Sequence, residues 1–382
     1  MKDMRSNLYV LYLACGMTAI SLLGQYSAFA KPVAQKPNAV PLTAHSAKTA
    51  KSALASHGKY TAAQIDHERY PYHSRRFTKF VDESMQFGQM GDASLFYNWM
   101  ETSVRSSGLR LGPRGETIDE MLLSRKQHIA SLPASKRADA ELAACAEVHK
   151  LIKTIIPRFS LQHGFEFYNA MSLGERQCFL QSVIIAGLLQ GMGIDAGVVM
   201  VYANERGQES NNGHAIDIVK LRNGHDVQVD ASEQAPFAHH LGLFVKIPTY
   251  RYVMPVFDKK TGQTIRYRAA GGDVKLPAYR VRTLGCDFLK SQFWYYRGER
   301  TPGALIETPK TDKGMASSEE YLKRSVRECP GNPLAVYMLG RVMLARGNTH
   351  EARKLIERAY NLYSIYGWIP QGPREYYLRV KS

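Results

Sequence analysis

The sequence is poor in cysteine and lacks several motifs that would identify common functions. Its 382 residues include only five cysteines, too few for a disulfide-stabilised scaffold in a chain of this size. No two cysteines form a Cys-x-x-Cys pair, and neither a phosphate-binding glycine loop nor a dinucleotide fingerprint is present. We therefore expect no cofactor and no bound metal ion.

Apart from the N-terminus, no segment is long and apolar enough to span a bilayer. Lys2 and Arg5 precede an apolar run over residues 8–23, and Ala28-Phe29-Ala30 offers a small-x-small cleavage site. This pattern predicts a secretory signal peptide over residues 1–30, with retention as an uncleaved anchor as the alternative. The expected location is therefore outside the cytoplasm: periplasmic, secreted or envelope-associated.

Acidic residues are outnumbered by basic ones. The chain has 50 Lys and Arg against 34 Asp and Glu, a formal net charge of +16. Such a balance can indicate nucleic-acid binding, but export argues against a nucleic-acid partner. An exported basic protein more plausibly meets an anionic envelope surface or an acidic protein. Because the basic residues are spread along the chain, a solvated positive surface is the favoured interpretation.

Composition divides the remainder of the chain into five segments. Residues 31–58 contain hardly any large apolar side chains, which predicts a flexible linker. Residues 59–133 have helical periodicity and a capping-box pattern at Thr117, so we expect a helical region. Residues 134–300 combine buried-helix and strand patterns, and residues 301–316 have the Pro, Gly and Thr of a linker. Helical spacing returns over 317–382.

The most apolar helix begins at Cys178. The residues that follow leave almost no polar face, which indicates a helix buried in a core: Phe179, Leu180, Val183, Ile184, Ile185, Ala186, Leu188 and Leu189. The thiol would lie in the first turn, where free N–H groups and the helix dipole favour the thiolate over a thiol of ordinary pKa about 8.5. This position suits a nucleophile, although a lone cysteine on such a helix is more often a core residue.

Two strands follow that carry a histidine and a carboxylate. His214 begins one strand, residues 222–224 form a turn, and Asp230 closes the returning strand. A two-residue turn at Asn223-Gly224 would point Asp230 away from His214. A three-residue loop with a glycine bulge makes the two side chains diagonal neighbours on one face, and we predict this loop.

In this order, Cys178, the strand opening His214-Ala215 and the strand closing Val227-Gln228-Val229-Asp230 resemble the transglutaminase-like superfamily. The resemblance covers roughly residues 142–232. It implies an α+β, papain-related domain with the nucleophile helix against an antiparallel sheet. It also implies that Cys178 is the nucleophile, His214 the base and Asp230 the group that orients the imidazole. Asp217, Asp226 and His225 are rival members of any polar pair.

Other polar and aromatic side chains have structural interpretations. His239-His240 has no third metal ligand at a useful spacing, which favours a surface histidine pair. Cys145 lies on the apolar stripe of a helix, so we expect it in the core. Cys286 and Cys329 could form a single disulfide bond. The aromatic run 293–296 is more consistent with burial than with a substrate wall.

The C-terminal helices resemble a second family. Their spacing is similar to about one and a half tetratricopeptide repeats: Leu339, Gly340, Met343, Gly347, Ala352, Ile356 and Ala359. Fewer than three repeats rarely stand alone, so we expect helical hairpins that dock on the rest of the protein. Binding of a protein partner through these helices is the alternative.

The resemblance implies a cysteine protease, amidase or transamidase. In its first step, a thiolate attacks an amide of a peptide or protein substrate and forms a thioester. Hydrolysis is favoured over transfer to an amine. The competing hypothesis is a non-catalytic envelope scaffold, in which the papain-like domain binds peptide and the C-terminal helices recruit a partner.

Overall fold

The computed structural model describes residues 68–109, 111–112 and 115–382. The expected signal peptide, the expected linker over 31–58 and the start of the expected helical region lie outside the described residues. Among the described residues, no helix is both long and apolar enough to cross a membrane.

Four helices open the described part of the chain. They are α1 (Arg75–Phe87), α2 (Ala93–Ser106), α3 (Ile118–Ser131) and α4 (Ala134–Ile155). The predicted capping box is confirmed, because the side chains of Thr117 and Glu120 each accept from the other residue's backbone N–H. Cys145 on α4 is fully buried, as expected.

Two short helices and a parallel strand pair lead into the central sheet. The pair is β1 (Arg158–Phe159) with β2 (Glu175–Arg176), and the helices are α5 (Phe167–Leu173) and α6 (Cys178–Gly191). In α6, 13 of the 14 residues are buried, so this helix has no solvent face. Burial on every side explains why its sequence is almost uniformly apolar.

An antiparallel sheet of eight strands forms a closed barrel. The strands are β3 (Asp195–Ala203), β4 (Glu209–Lys220), β5 (Asp226–Val229), β6 (Phe237–Ala238), β7 (Gly242–Ile247), β8 (Thr249–Phe257), β9 (Thr264–Ala269) and β10 (Lys275–Pro277). They lie in the order β10-β9-β8-β7-β3-β4-β5-β6, and a further pairing of β5 with β9 closes the sheet. Alternate residues fill an interior core that includes Ile216, Ile218 and Leu243, while the opposite face packs on the helices.

The hairpin between β4 and β5 has the predicted three-residue loop. Asp217 pairs with Val229 and Lys220 with Asp226, so the numbers of facing residues sum to 446. Gly224 has φ of +86°, the left-handed conformation that a glycine bulge requires. The predicted register is therefore confirmed.

Five helices complete the fold. They are α7 (Cys286–Glu299), α8 (Asp312–Glu328), α9 (Pro333–Ala345), α10 (Thr349–Tyr366) and α11 (Gln371–Lys381). α8 begins inside the segment expected to be a linker, and the loop before it is closed by a 2.8 Å hydrogen bond from Thr311 N to Gly303 O. The aromatic run 293–296 is buried, on a helix that follows the strands.

The C-terminal helices pack on the barrel, as expected. Tyr363 and Tyr366 on α10 contact Tyr252 and Tyr250 of β8. α9 and α10 approach closely at Gly340, where an added Cβ would lie 2.9 Å from Cγ1 of Ile356. The disulfide considered for Cys286 and Cys329 is absent, because all four described cysteines are free.

Candidate active site

Cys178 is the first residue of α6, and hydrogen bonds fix the two residues that precede it. Gln177 N donates to Gly164 O at 2.7 Å, and Arg176 Nε donates to Gln181 Oε1 at 2.9 Å. The side chain of Gln177 makes no capping hydrogen bond to the first turn. The N–H groups of that turn, at the same end of α6 as Cys178, therefore receive no cap from Gln177.

His214 and Asp230 come from the adjacent strands β4 and β5. Nε2 of His214 lies 2.7 Å from Oδ2 of Asp230, a charge-assisted hydrogen bond. His214 pairs with Val201 of β3 at the point where the β3–β4 register shifts. Ser182 of α6 donates to Ala215 O at 3.3 Å, which holds α6 beside the residue that follows His214.

The thiol of Cys178 lies close enough to the same imidazole to affect its charge. Burial opposes the charged form of His214, but hydrogen bonds with Asp230 and with Cys178 outweigh it and raise the pKa of His214 to about 10. Since Asp230 occupies Nε2, Nδ1 is the ring nitrogen available to the sulfur. The structure thus brings together all three residues that the sequence singled out.

Solvent reaches this group through the histidine. Cys178 is 3% exposed, whereas the side chain of His214 is 27% exposed. The carboxylate of Asp230 is fully buried. The arrangement therefore has an open side at the imidazole and a dry side at the carboxylate, and the thiol is itself almost fully buried.

Asp230 is ionised because it accepts three hydrogen bonds. Burial would raise its pKa, but donation from His214 and His240, with a 2.8 Å bond from Ser232 N to Oδ1, holds that pKa well below its usual range. A carboxylate held in this way can orient an imidazole and stabilise its cationic form.

His240 is the main difference from the sequence-based expectation. The pair His239-His240 was expected at the surface, but only His239 is exposed. His240 is buried, and its Nε2 lies 2.9 Å from Oδ2 of Asp230. His240 instead groups with His214 and Asp230, and the three residues offer donor atoms within 4.8 Å of one another, whereas His239 is not part of this group.

The spacing of these three atoms is that of hydrogen bonds. Ligands about 2.0–2.2 Å from a tetrahedral zinc ion lie about 3.3 Å apart. Nε2 of His214 and Nε2 of His240 are instead 2.7 and 2.9 Å from Oδ2 of Asp230. We therefore describe the cluster as two imidazoles on one carboxylate oxygen.

The rival residues occupy other places. Asp226 accepts from Lys220 and Tyr267 at 2.9 and 2.7 Å in the barrel interior. His225 contacts Gln263 at the hairpin loop. Asp217 is fully buried, and neither of its oxygens has a hydrogen-bond partner among the described residues.

Sequence reasoning missed a supporting layer around Asp230. His149 Nε2 on α4 lies 3.3 Å from Glu233 O, and Lys153 Nζ donates to the same oxygen. Gln181 on α6 donates to Ser232 Oγ at 2.8 Å. The four-residue spacing of His149 and Lys153 on a predicted helix was a usable signal, but their partner at residue 233 was not visible in the sequence.

No protein-family model, no curated protein and no solved structure matches this chain. The chemistry of the site therefore has to be inferred from its own geometry.

Proposed function

We propose that the protein is a cysteine acyl-transfer enzyme that acts on peptide or protein amides. One observation carries the proposal: the imidazole of His214 is hydrogen-bonded to the buried carboxylate of Asp230 and interacts with the thiol of Cys178. A thiol, an imidazole and a carboxylate linked in this order are the parts of a nucleophilic triad. We assign Cys178 as nucleophile, His214 as general acid and base, and Asp230 as the orienting carboxylate.

Acylation begins from the thiolate and the imidazolium. The sulfur of Cys178 attacks the substrate carbonyl carbon, and the C–N bond breaks as His214 transfers its proton to the departing amine. The product is a thioester on Cys178. In deacylation, water gives a proton to His214 and attacks the thioester carbonyl, and the thiolate leaves.

The start of α6 can stabilise the oxyanion of both steps. The N–H groups of the first helical turn and the positive end of the helix dipole lie beside the sulfur. The developing negative charge would form next to them. The same groups favour the thiolate before substrate arrives.

We further propose that the domain is a papain-related fold of the transglutaminase-like type. A buried helix carries the nucleophile and an antiparallel barrel carries the histidine and the carboxylate, which supports this assignment. An acyl-enzyme can pass its acyl group to water or to a primary amine. We favour water, and therefore a peptidase or amidase.

Location and partners form a separate part of the proposal. The N-terminal signal pattern favours export, so the substrates would be envelope or extracellular proteins. The helices α8–α11 resemble tetratricopeptide repeats and could also contact a protein partner. A non-catalytic scaffold that binds peptide is the competing function.

Thiol labelling tests the enzyme against the scaffold. Burial raises the pKa of Cys145 and Cys329, and raises that of Cys286 to about 11. We expect iodoacetamide at pH 7 to label Cys178 first among these four, as mapped by peptide mass spectrometry, and His214→Ala to slow that labelling. Equal labelling of all four, unchanged by His214→Ala, would favour the scaffold.

The acyl acceptor is tested with a protein substrate. A casein-like protein is incubated with the enzyme and a fluorescent primary amine, with Cys178→Ser as the control. Fragments would identify a protease, and covalent attachment of the amine would identify a transamidase.

A further inference from the structure

A second histidine, His240, is buried against Asp230. His240 follows β6, and its ring packs against that of His214 with centroids 5.3 Å apart. Its backbone is fixed by the side chain of Gln228, which accepts from His240 N at 2.8 Å and donates to His240 O at 3.1 Å. The backbone of His240 is thus held at both its N–H and its carbonyl group.

The contacts of His240 assign its proton. Asp230 is ionised and accepts only, so Nε2 of His240 must be the donor in the 2.9 Å contact with Oδ2. Nδ1 of His240 is buried and has no hydrogen-bond partner among the described residues. A buried imidazole nitrogen without a partner costs stability. Among the described residues, the contact with Asp230 is therefore the one hydrogen bond of the ring that can offset the free-energy cost of burying it.

We propose that His240 is a positioning residue of the triad, which holds the Asp230 carboxylate in the orientation that presents Oδ2 to His214. This inference rests on the proposed function. Ser232 N holds Oδ1 and His240 Nε2–H holds Oδ2, so the carboxylate is anchored through both oxygens. The remaining acceptor direction of Oδ2 faces the His214 imidazole.

The consequence is a more stable ion pair between the Cys178 thiolate and the His214 imidazolium. A carboxylate that cannot rotate keeps its hydrogen bond with the imidazolium, and the imidazolium stabilises the thiolate. Without His240, the carboxylate can turn away from His214. The ion pair then forms over a narrower range of pH.

Other ionisable groups face this network and stay constant in the test. His149 and Lys153 approach Asp230 from α4, and Asp217 approaches it from β4. Tyr296 on α7 lies near Cys178. None of them is altered by a substitution at position 240.

The test compares two polar substitutions. In His240→Gln, the amide nitrogen reaches the place of Nε2, whereas in His240→Asn it reaches only the place of Nδ1. The probe is iodoacetamide, and the readout is the rate of Cys178 labelling between pH 4 and pH 10. Circular dichroism and urea unfolding first establish that each variant is folded.

We expect His240→Gln to retain the pH profile of the unmodified protein. His240→Asn should lower the labelling rate at pH 6 by about tenfold, the effect of losing one hydrogen bond to a charged group, and should move the acidic limb to higher pH. The exposed neighbour gives the control, since His239→Gln should change neither quantity.

A second background removes the effect of packing. With Asp230→Asn present, the difference between the Gln and Asn variants at position 240 should vanish, because the carboxylate through which His240 acts is gone. Identical profiles for both variants, or a difference that persists with Asp230→Asn, would overturn the role of His240. If Cys178 of the unmodified protein is not selectively reactive, the proposed function itself fails.

Discussion

Asp230 is a fully buried carboxylate whose charge is stabilised by three donors, one of which is the imidazolium of His214. The two residues stabilise each other's charged forms. Substitution of either one should therefore be visible in the titration of the other.

We predict that Asp230→Asn lowers the pKa of His214 by about one to three units from its value of about 10, since the opposite charge beside the imidazolium is lost. The measurement is an NMR pH titration of histidine ring signals. The signal of His225, which contacts Gln263 instead, is the internal control and should not move. An unchanged titration of His214 would contradict the ion pair.

The same pair predicts how stability depends on pH. The pKa of His214 is raised, so its contribution to the free energy of unfolding is complete below about pH 6.5 and is lost as the pH rises towards 10. The pKa of Asp230 is lowered, so its contribution is complete above about pH 4 and is lost in acid. Urea unfolding of the unmodified protein and of Asp230→Asn should therefore differ most between about pH 4 and pH 6.5. A difference independent of pH would contradict this prediction.

Asp217 illustrates the opposite case, a buried carboxyl with no hydrogen-bond partner among the described residues. Burial raises its pKa well above the ordinary value. We predict that Asp217→Asn increases the free energy of unfolding at pH 8 by about 1–3 kcal/mol, because the folded protein no longer has to keep a carboxyl protonated. The gain should shrink towards pH 3, where a carboxyl of ordinary pKa about 3.9 is largely protonated in the unfolded chain as well. A loss of stability at pH 8 would mean that Asp217 has a polar partner.

At the scale of secondary-structure elements, two short connections position the residues of the site. The loop over residues 222–224 sets the parity of β5, and the segment over residues 160–164 holds the residues before α6. An added Cβ on Gly164 would lie 2.3 Å from the carbonyl carbon of Arg176. That contact is between backbones, so a side-chain rotation cannot relieve it.

We predict that Gly164→Ala lowers the free energy of unfolding by about 1–3 kcal/mol and slows Cys178 labelling, because the clash displaces the turn that precedes Cys178. Urea unfolding and the iodoacetamide rate measure the two effects. Gly272→Ala is the matched control, since a Cβ at Gly272 meets nothing within 4 Å. Equal behaviour of the two variants would show that the backbone of residues 160–164 adapts without consequence for the site.

Across the molecule, one buried ion pair joins distant parts of the chain. Arg297 on α7 binds Glu166 through two hydrogen bonds of 2.6 and 3.0 Å. Ser84 on α1 donates to the same carboxylate at 2.6 Å. The pair therefore ties α1, the start of α5 and α7 together.

We predict that Glu166→Gln lowers the free energy of unfolding by about 3–5 kcal/mol, because it leaves the guanidinium buried without its counter-charge. Urea unfolding provides the measurement. Glu351→Gln is the control, since it removes a partner from an exposed pair with Lys354 and should change stability by less than about 1 kcal/mol. If the two variants lose similar stability, the buried pair is not an anchor of the fold.

Much of the site could be predicted from local patterns. Uniform apolarity identified α6 and placed Cys178 at its start, because a helix without a polar face has to be buried. Turn chemistry identified the hairpin loop, and the two-residue period of strands then put His214 and Asp230 on one face. These inferences succeeded because each depends on residues that are close in sequence.

Other features depend on contacts between residues far apart in sequence. Adjacent histidines on a strand end give no sign of which one is buried, so the burial of His240 against Asp230 was decided only when β5 and β6 paired. Short-range sequence patterns likewise could not predict the closure of the barrel by β5 and β9. Nor could they predict the contacts of His149 and Lys153 with Glu233.

The sequence by itself determined the elements and the order of thiol, imidazole and carboxylate. Only the tertiary structure decided that these groups meet, and that a second histidine shares the carboxylate. The physical reason is that periodicity and turn geometry act over a few residues, whereas the burial and charge of a side chain depend on every element that packs around it.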